Sequence, residues 1–184
     1  HDSPSAGYLI RKRVDPSAIP ASSSGTYKKR QGVLYRLAEA YLSYAESLYE
    51  YSVATGTYTD NETEILDYIN RVRYRAGIPQ YGKGADQIPV TEAQLRDLIR
   101  RERRVELNCE AGIRFDDLRR WKEAETALNG KFYGMNALAK STERDEYYKR
   151  TLYQTRRFIS YWWPIPQDDI DKNTNLRQLP GWWR

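Results

Sequence analysis

Glu102 and Glu106 are the residues of this 184-residue chain best placed to do chemistry. They stand one helical turn apart in LRDLIRRERRVELNCEAGIRFDDLRRW, residues 95–121. They continue an apolar stripe that starts at Leu95, Leu98 and Ile99 and returns at Cys109. Two carboxylates can share the work of general acid and general base, as in glycoside hydrolysis. The same stretch also holds Arg100, Arg101, Arg103, Arg104, Arg114, Arg119 and Arg120. A carboxylate on a buried face needs a partner, because a stranded charge costs several kcal/mol or neutralises itself. Arginine forks supply that partner bidentately. The expectation is therefore structural: Glu102 and Glu106 sit in ion pairs, with Arg103, Arg114, Arg120 and Arg71 as partners. A catalytic pair, or a glutamate stripe left wet at an edge, are the alternatives.

Other chemistries find less support. The one histidine is His1, so Ser-His and Cys-His nucleophile systems and an HExxH zinc site are absent. One cysteine, Cys109, excludes an internal disulfide and any cysteine-cluster metal site. Neither GxxxxGK[ST] nor GxGxxG occurs, so no phosphate loop is indicated and no cofactor is expected. Asp169, Asp171, Asn173 and Asn175 alternate like calcium ligands, but Thr174 and Pro180 stand where an EF-hand needs glycine and glutamate. Turn chemistry accounts for them better. Trp162, Trp163, Trp182 and Trp183 could stack on a sugar or a base. The expectation is that Trp163 and Trp182 instead pin a proline-rich tail to a core.

The elements that position these groups are helical. The strongest pattern runs from Gln31 to Val53, with Leu34, Leu37, Ala38, Tyr41, Ala45, Leu48 and Tyr49 on one face and Gly56 as its C-cap. Ala38 and Ala45, small among large rings, allow close approach of a second helix. Asp60 or Asn61 is expected to cap that helix, which buries Ile65, Leu66, Ile69, Val72 and Ala76 and stops at Gly77 and Pro79. The two form a helical hairpin of tetratricopeptide type, although no strict repeat signature is present. QYGKGADQIPV is a loop, and Thr91 to Gln94 is a capping box that opens the central helix. That helix breaks at Gly112, and a shorter one follows with Phe115, Leu118 and Trp121 on its apolar face. One further helix is expected near residues 142–153. Pro164 and Pro166 rule out helix in the tail, which reads as extended chain and turns.

Length and composition fit one soluble domain with a real core. No apolar run is long enough to span a bilayer as a helix. The chain opens HDSPSAG, which is neither a signal peptide nor an initiator start, so it is expected to be processed or cut from something longer. Basic clusters give a net charge of +5, but acidic residues intersperse most of them, and nucleic acid is not the expected partner. Sixteen tyrosines and five tryptophans against three phenylalanines suit large interfaces or ligands such as sugars and peptides. Tyr27, Tyr81 and Tyr133, in loop-like segments, are candidate ligand-binding residues.

Three stretches together resemble the SusD/RagB family of nutrient-binding outer-membrane lipoproteins. They are LYRLAEAYLSYAES at 34–47, LRDLIRRERRVELNCEAGIRFDDLRRW at 95–121 and YWWPIPQDDIDKNTNLRQLPGW at 161–182, with ILDYINRVRYRAGIP at 65–79 between the first two. The resemblance spans roughly residues 27–183 and corresponds to the C-terminal portion of family members, which are much longer. It implies an all-α domain over residues 1–184: a loop-rich lead-in at 1–30, a helical core at 31–128, and a mixed segment with a C-terminal strap at 129–184. It also implies a non-catalytic protein on the bacterial cell surface. The intact protein would be lipid-anchored in the outer membrane and would pass glycans or peptides to a TonB-dependent, SusC-like transporter. The N-terminal region of the same protein would be a partner, supplying the acylated cysteine and much of the pocket. A helical-hairpin adaptor for protein partners is the alternative.

Overall fold

The computed structural model describes residues 32–182 apart from Ala111 and Ser141, together with Tyr8, residues 10–12, Val14, Asp15 and Ser17. Tyr27 and Trp183 lie outside the described residues. In chain order the elements are α1 (Leu37–Thr55), α2 (Tyr58–Arg75), α3 (Glu92–Glu106), α4 (Ile113–Arg120), α5 (Ala124–Ala127), β1 (Gly130–Gly134), α6 (Arg144–Tyr147), β2 (Thr151–Arg156) and α7 (Gln167–Lys172). The described chain is thus mostly helical, with one two-stranded antiparallel sheet, β1–β2, that the all-α reading lacked. It divides into two compact units, residues 15–114 and residues 1–14 with 115–184.

In the first unit, α1 and α2 are joined by Gly56 and Thr57 and run antiparallel. Tyr44 reaches Glu64 towards the middle of the pair, and Ser52 accepts a hydrogen bond from Asn61 near the turn. Gly56 closes α1 with φ +72°, a left-handed turn that costs glycine nothing. α1 begins at Leu37, later than its apolar pattern suggests; Leu34 is 93% exposed and carries no core contact. α2 starts at Tyr58, ahead of the expected caps, and Asn61 ties back to Ser52 and to the Thr57 carbonyl. Ala45, Ile65, Ile69, Leu95 and Ile99 are at the centre of the core where α1, α2 and α3 meet. Gln94 Oε1 accepts from the Thr91 backbone N–H at 3.2 Å and from its hydroxyl at 3.0 Å, which fixes the entry of α3. α3 ends at Glu106, before Gly112, and Cys109 is exposed with φ +61° rather than on the buried stripe.

In the second unit, β1 and β2 pair from Gly130↔Arg156 to Gly134↔Thr151 with a bulge between Phe132 and Tyr133. The helix expected near 142–153 is only the single turn of α6, and Thr151–Arg156 is strand instead. Threonines and a tyrosine there suit a pleated, half-open ladder better than a helix face. The tail also departs from the expectation. Pro166 is the N-cap of α7, a position where proline's fixed φ is compatible with helix onset, so the prolines start a helix rather than exclude one. The amide of Gln178 braces the C-terminal segment by accepting from the Ile165 N–H at 2.9 Å and donating to the Ile165 carbonyl at 2.8 Å. Gly181, at φ +91°, passes so close to the Ile159 carbonyl that a Cβ would sit 3.2 Å from it.

Candidate functional site

Glu102 is 7% exposed. Its Oε1 accepts from Arg73 Nη1 and from the Tyr81 hydroxyl at 3.0 Å. Arg73 is engaged elsewhere too: Nη1 also reaches the Tyr81 hydroxyl at 3.0 Å, Nε donates to the Pro79 carbonyl at 2.7 Å, and the guanidinium carbon lies 3.9 Å from the Tyr81 ring centroid. Burial, then the Glu102 charge, pushes the Tyr81 hydroxyl above its ordinary pKa. A buried carboxylate with a guanidinium and a phenol on one oxygen ties α3 to α2 and to the loop that carries Tyr81.

Glu106 sits in a second cluster at the end of α3. It accepts from Arg36 Nη1, and from Arg75 Nη2 at 2.6 Å. Arg36, just before α1, also donates Nε to Glu110 at 2.8 and 3.1 Å and Nη2 to the Glu106 carbonyl at 2.6 Å. The Glu110 hydrogen bond is the chief reason the Arg36 pKa is raised, with burial opposing it. Two further pairs fasten α3 to α1: Arg96 grips Glu50 at 2.8 and 2.7 Å, and Arg103 meets Glu46 at 3.5 Å and Ser43 at 2.9 Å.

Guanidinium partners beyond those expected stand on the α3 carboxylates. Arg73, Arg36 and Arg75 hold the α3 carboxylates, while Arg103 turns to α1, Arg120 lies on Asp117 at 2.9 Å and Arg71 on Asp67 at 2.8 Å. Partners across a helix interface come from the neighbouring helix, which periodicity within one segment does not reveal. The central placement of Arg73, Arg36, Glu110 and Tyr81 was missed. The one available hint was Arg73 falling beside Val72, on the buried face of α2.

Of the candidate ligand tyrosines, Tyr27 lies outside the described residues, and Tyr81 and Tyr133 belong to different units. Tyr81 is a core residue, 4% exposed, rather than an exposed loop ring. The loop that carries it is stitched to α2 by Asn70, which bonds both the Tyr81 N–H (2.7 Å) and its carbonyl (2.8 Å). Tyr133 lies on β1, exposed, with the Arg150 guanidinium 3.7 Å from its ring centroid. The expectation for Trp163 is also corrected: it is 64% exposed, resting beside Phe115 and beneath Arg119. The chain is held here through its backbone carbonyls, since Arg119 donates to those of Ser160 and Tyr161. Trp182 is half-buried, and its Nε1 donates to the Trp162 carbonyl at 2.7 Å.

Asp169 and Asp171 lie in α7, and Asn173 accepts from the Asn175 N–H at 3.1 Å as a turn. Among the described residues no group of His, Cys, Asp and Glu could hold a metal ion. Two grooves open on the first unit. One of about 280 Å³ is lined by Leu37, Ala38, Tyr41 and Val72 with arginines around it; the other, about 350 Å³, lies between α2 and the Gln80–Gln87 loop and is largely polar.

The comparisons are consistent in kind. The SusD family model matches residues 1–182. BT4246 is 34% identical over 97% of this chain and 30% of its own, with a TM-score of 0.76. A SusD-like protein of Bacteroides fragilis NCTC 9343, BF3747, is 27% identical over 89% of this chain and 28% of its own, with a TM-score of 0.65. A SusD-like carbohydrate binding protein of the same strain, BF0978, is 35% identical over 78% of this chain and 28% of its own, with a TM-score of 0.56. No curated protein matches. The chain thus spans less than a third of the length of these solved relatives. With the family match running almost end to end, this chain belongs to the SusD family.

Proposed function

We propose that this chain is the C-terminal part of a non-catalytic surface protein that captures a glycan or peptide nutrient for a TonB-dependent, SusC-like transporter. The observation that carries the reading is the family match over residues 1–182, joined by 35% identity to a protein described as SusD-like and carbohydrate binding. The side-chain chemistry supports it. Glu102 and Glu106, the best-placed acid–base groups, are committed to guanidinium partners. The α1–α2 pair is read as a tetratricopeptide-like hairpin, and the segment from Ile159 to Trp182 as a C-terminal strap. The intact protein is proposed to be lipid-anchored on the outer face of the bacterial outer membrane. No helix among the described residues is long and apolar enough to cross a membrane. Tyr133, and Tyr27 outside the described residues, are the proposed ligand contacts, completed by the N-terminal region of the same protein.

Glycan and peptide arrays probed with the longer family protein test this. A saturable response to one ligand class, with the ligand recovered intact, supports capture. Silence across both classes, or release of a cleaved product, contradicts it.

A further inference from the structure

The polar groove of about 350 Å³ has α2 for one wall and the Gln80–Gln87 loop for the other. Its volume is at the low end for small-ligand sites, so it suits one sugar residue rather than an extended chain.

The loop wall is set before any ligand arrives. Asn70 holds Tyr81 by its N–H and its carbonyl, at 2.7 and 2.8 Å. The Gly82 N–H donates to the Ile88 carbonyl at 3.0 Å, and the Ile88 N–H to the Gln80 carbonyl at 2.8 Å. The Gln87 amide folds back to accept from the Gly84 N–H at 2.9 Å, so near Gly82 that a Cβ there would collide with it. A wall this stiff loses little freedom when a ligand binds.

The chemistry left over selects the ligand. Charges at the groove are already paired: Lys83 of the loop meets Glu62 of α2 at 2.7 Å, and Arg71 meets Asp67 at 2.8 Å. An ion therefore finds no unbalanced charge to bind. The backbone groups of Gln80, Tyr81 and Gly82 just described are spent, which leaves a peptide main chain no ladder to join there. Side-chain polarity remains. The Thr63 hydroxyl and the Gln80 amide line the groove with no hydrogen-bond partner among the described residues, and Gln87 commits its oxygen to Gly84 but not its Nε2. These groups supply both donors and acceptors, with the half-buried Leu66 as an apolar neighbour. A neutral sugar matches them, since its hydroxyls both give and take hydrogen bonds and its C–H face is apolar.

We infer that this groove is a weak subsite for one neutral sugar residue, additional to the contact proposed at Tyr133. The inference rests on the reading of the chain as part of a glycan-capturing protein.

Nuclear magnetic resonance on this chain tests it. The probes are the methyl glycosides of glucose, galactose, mannose and N-acetylglucosamine, with glycylglycine as the peptide control. At millimolar concentration at least one glycoside is expected to shift the side-chain amide signals of Gln80 and Gln87 saturably. Thr63→Val, on the exposed side of α2, and separately Gln80→Leu should each weaken that binding by about threefold or more, read at Gln87. No saturable shift with any glycoside overturns the subsite. So does unweakened binding in both variants, or a response to glycylglycine alone. Glycan arrays are probed in parallel with the longer protein. Array binding with a silent groove overturns the subsite and leaves capture standing, whereas a responding groove with a silent array does the reverse.

Discussion

Arg73 of α2 and Glu102 of α3 form an ion pair in which neither side chain is more than 10% exposed, and the Tyr81 hydroxyl closes the third side. Breaking it from one end strands the other charge in the core. Glu102→Ala is therefore expected to destabilise the protein by about 3–5 kcal/mol, while Arg73→Met with Glu102→Leu together recover most of that loss. Urea unfolding of the three proteins is the check. A Glu102→Ala midpoint equal to that of the parent would remove the pair from the account of the core.

The outer cluster should be graded by exposure. Arg36 serves Glu106, Glu110 and a carbonyl from a side chain 22% exposed, whereas Arg75 is 60% exposed and meets only Glu106 among the contacts described. Arg36→Ala is expected to cost about 1.5–3 kcal/mol, the range for charge-assisted hydrogen bonds. Arg75→Ala should cost less than about 1 kcal/mol, as exposed pairs do. Denaturant midpoints decide it; the reverse order would mean that Arg36 is not the tie between α1 and the end of α3.

Alkaline pH should loosen the first unit. Burial, then the charges of Glu62 and Glu92, pushes the Tyr58 hydroxyl up to about 12 from its ordinary 10.0. Between those values the unfolded chain has lost the proton and the folded chain keeps it. Stability is therefore full below pH 10 and falls as pH rises towards 12. Thermal melts across that window, compared with Tyr58→Phe, measure the contribution; the variant should show a shallower fall. Equal slopes would mean that Tyr58 titrates alike in both states.

The strap should depend on its amide brace more than on its exposed indole. Gln178→Ala removes both hydrogen bonds to Ile165 and is expected to abolish protection of the Ile165 amide in hydrogen exchange. Trp163→Ala gives up an exposed contact with Arg119 and should cost only about 0.5–1 kcal/mol. A larger loss from the tryptophan than from the glutamine would restore the view that aromatic anchors hold this tail.

How much of this was legible in the sequence follows from the range of each interaction. Gly56, the Thr91–Gln94 box and the Ile65–Ile69–Val72 face are local signals, and each is found where its pattern stands. Leu34 and Leu37 carry the same apolar pattern yet stay exposed, because periodicity shows that a face exists and not which neighbour covers it. The commitment of Glu102 to Arg73 depends on contact between two helices 29 residues apart in sequence, and that of Glu110 to Arg36 on a separation of 74. No spacing rule within one segment reaches that far. The strand at Thr151–Arg156 was hidden for a related reason: a β ladder is defined by its partner, here Gly130–Gly134.

The central claim is that this chain supplies scaffold to a capture protein and carries out no hydrolysis of its own. Calorimetry with one oligosaccharide or peptide, identified on the longer protein, should be run on both forms at equal concentration. The account predicts saturable binding by the longer protein, weak or no binding by this chain, and unaltered ligand recovered from both cells. Micromolar binding by this chain alone would place the pocket within these residues and contradict the scaffold reading, and turnover by either form would contradict the non-catalytic one.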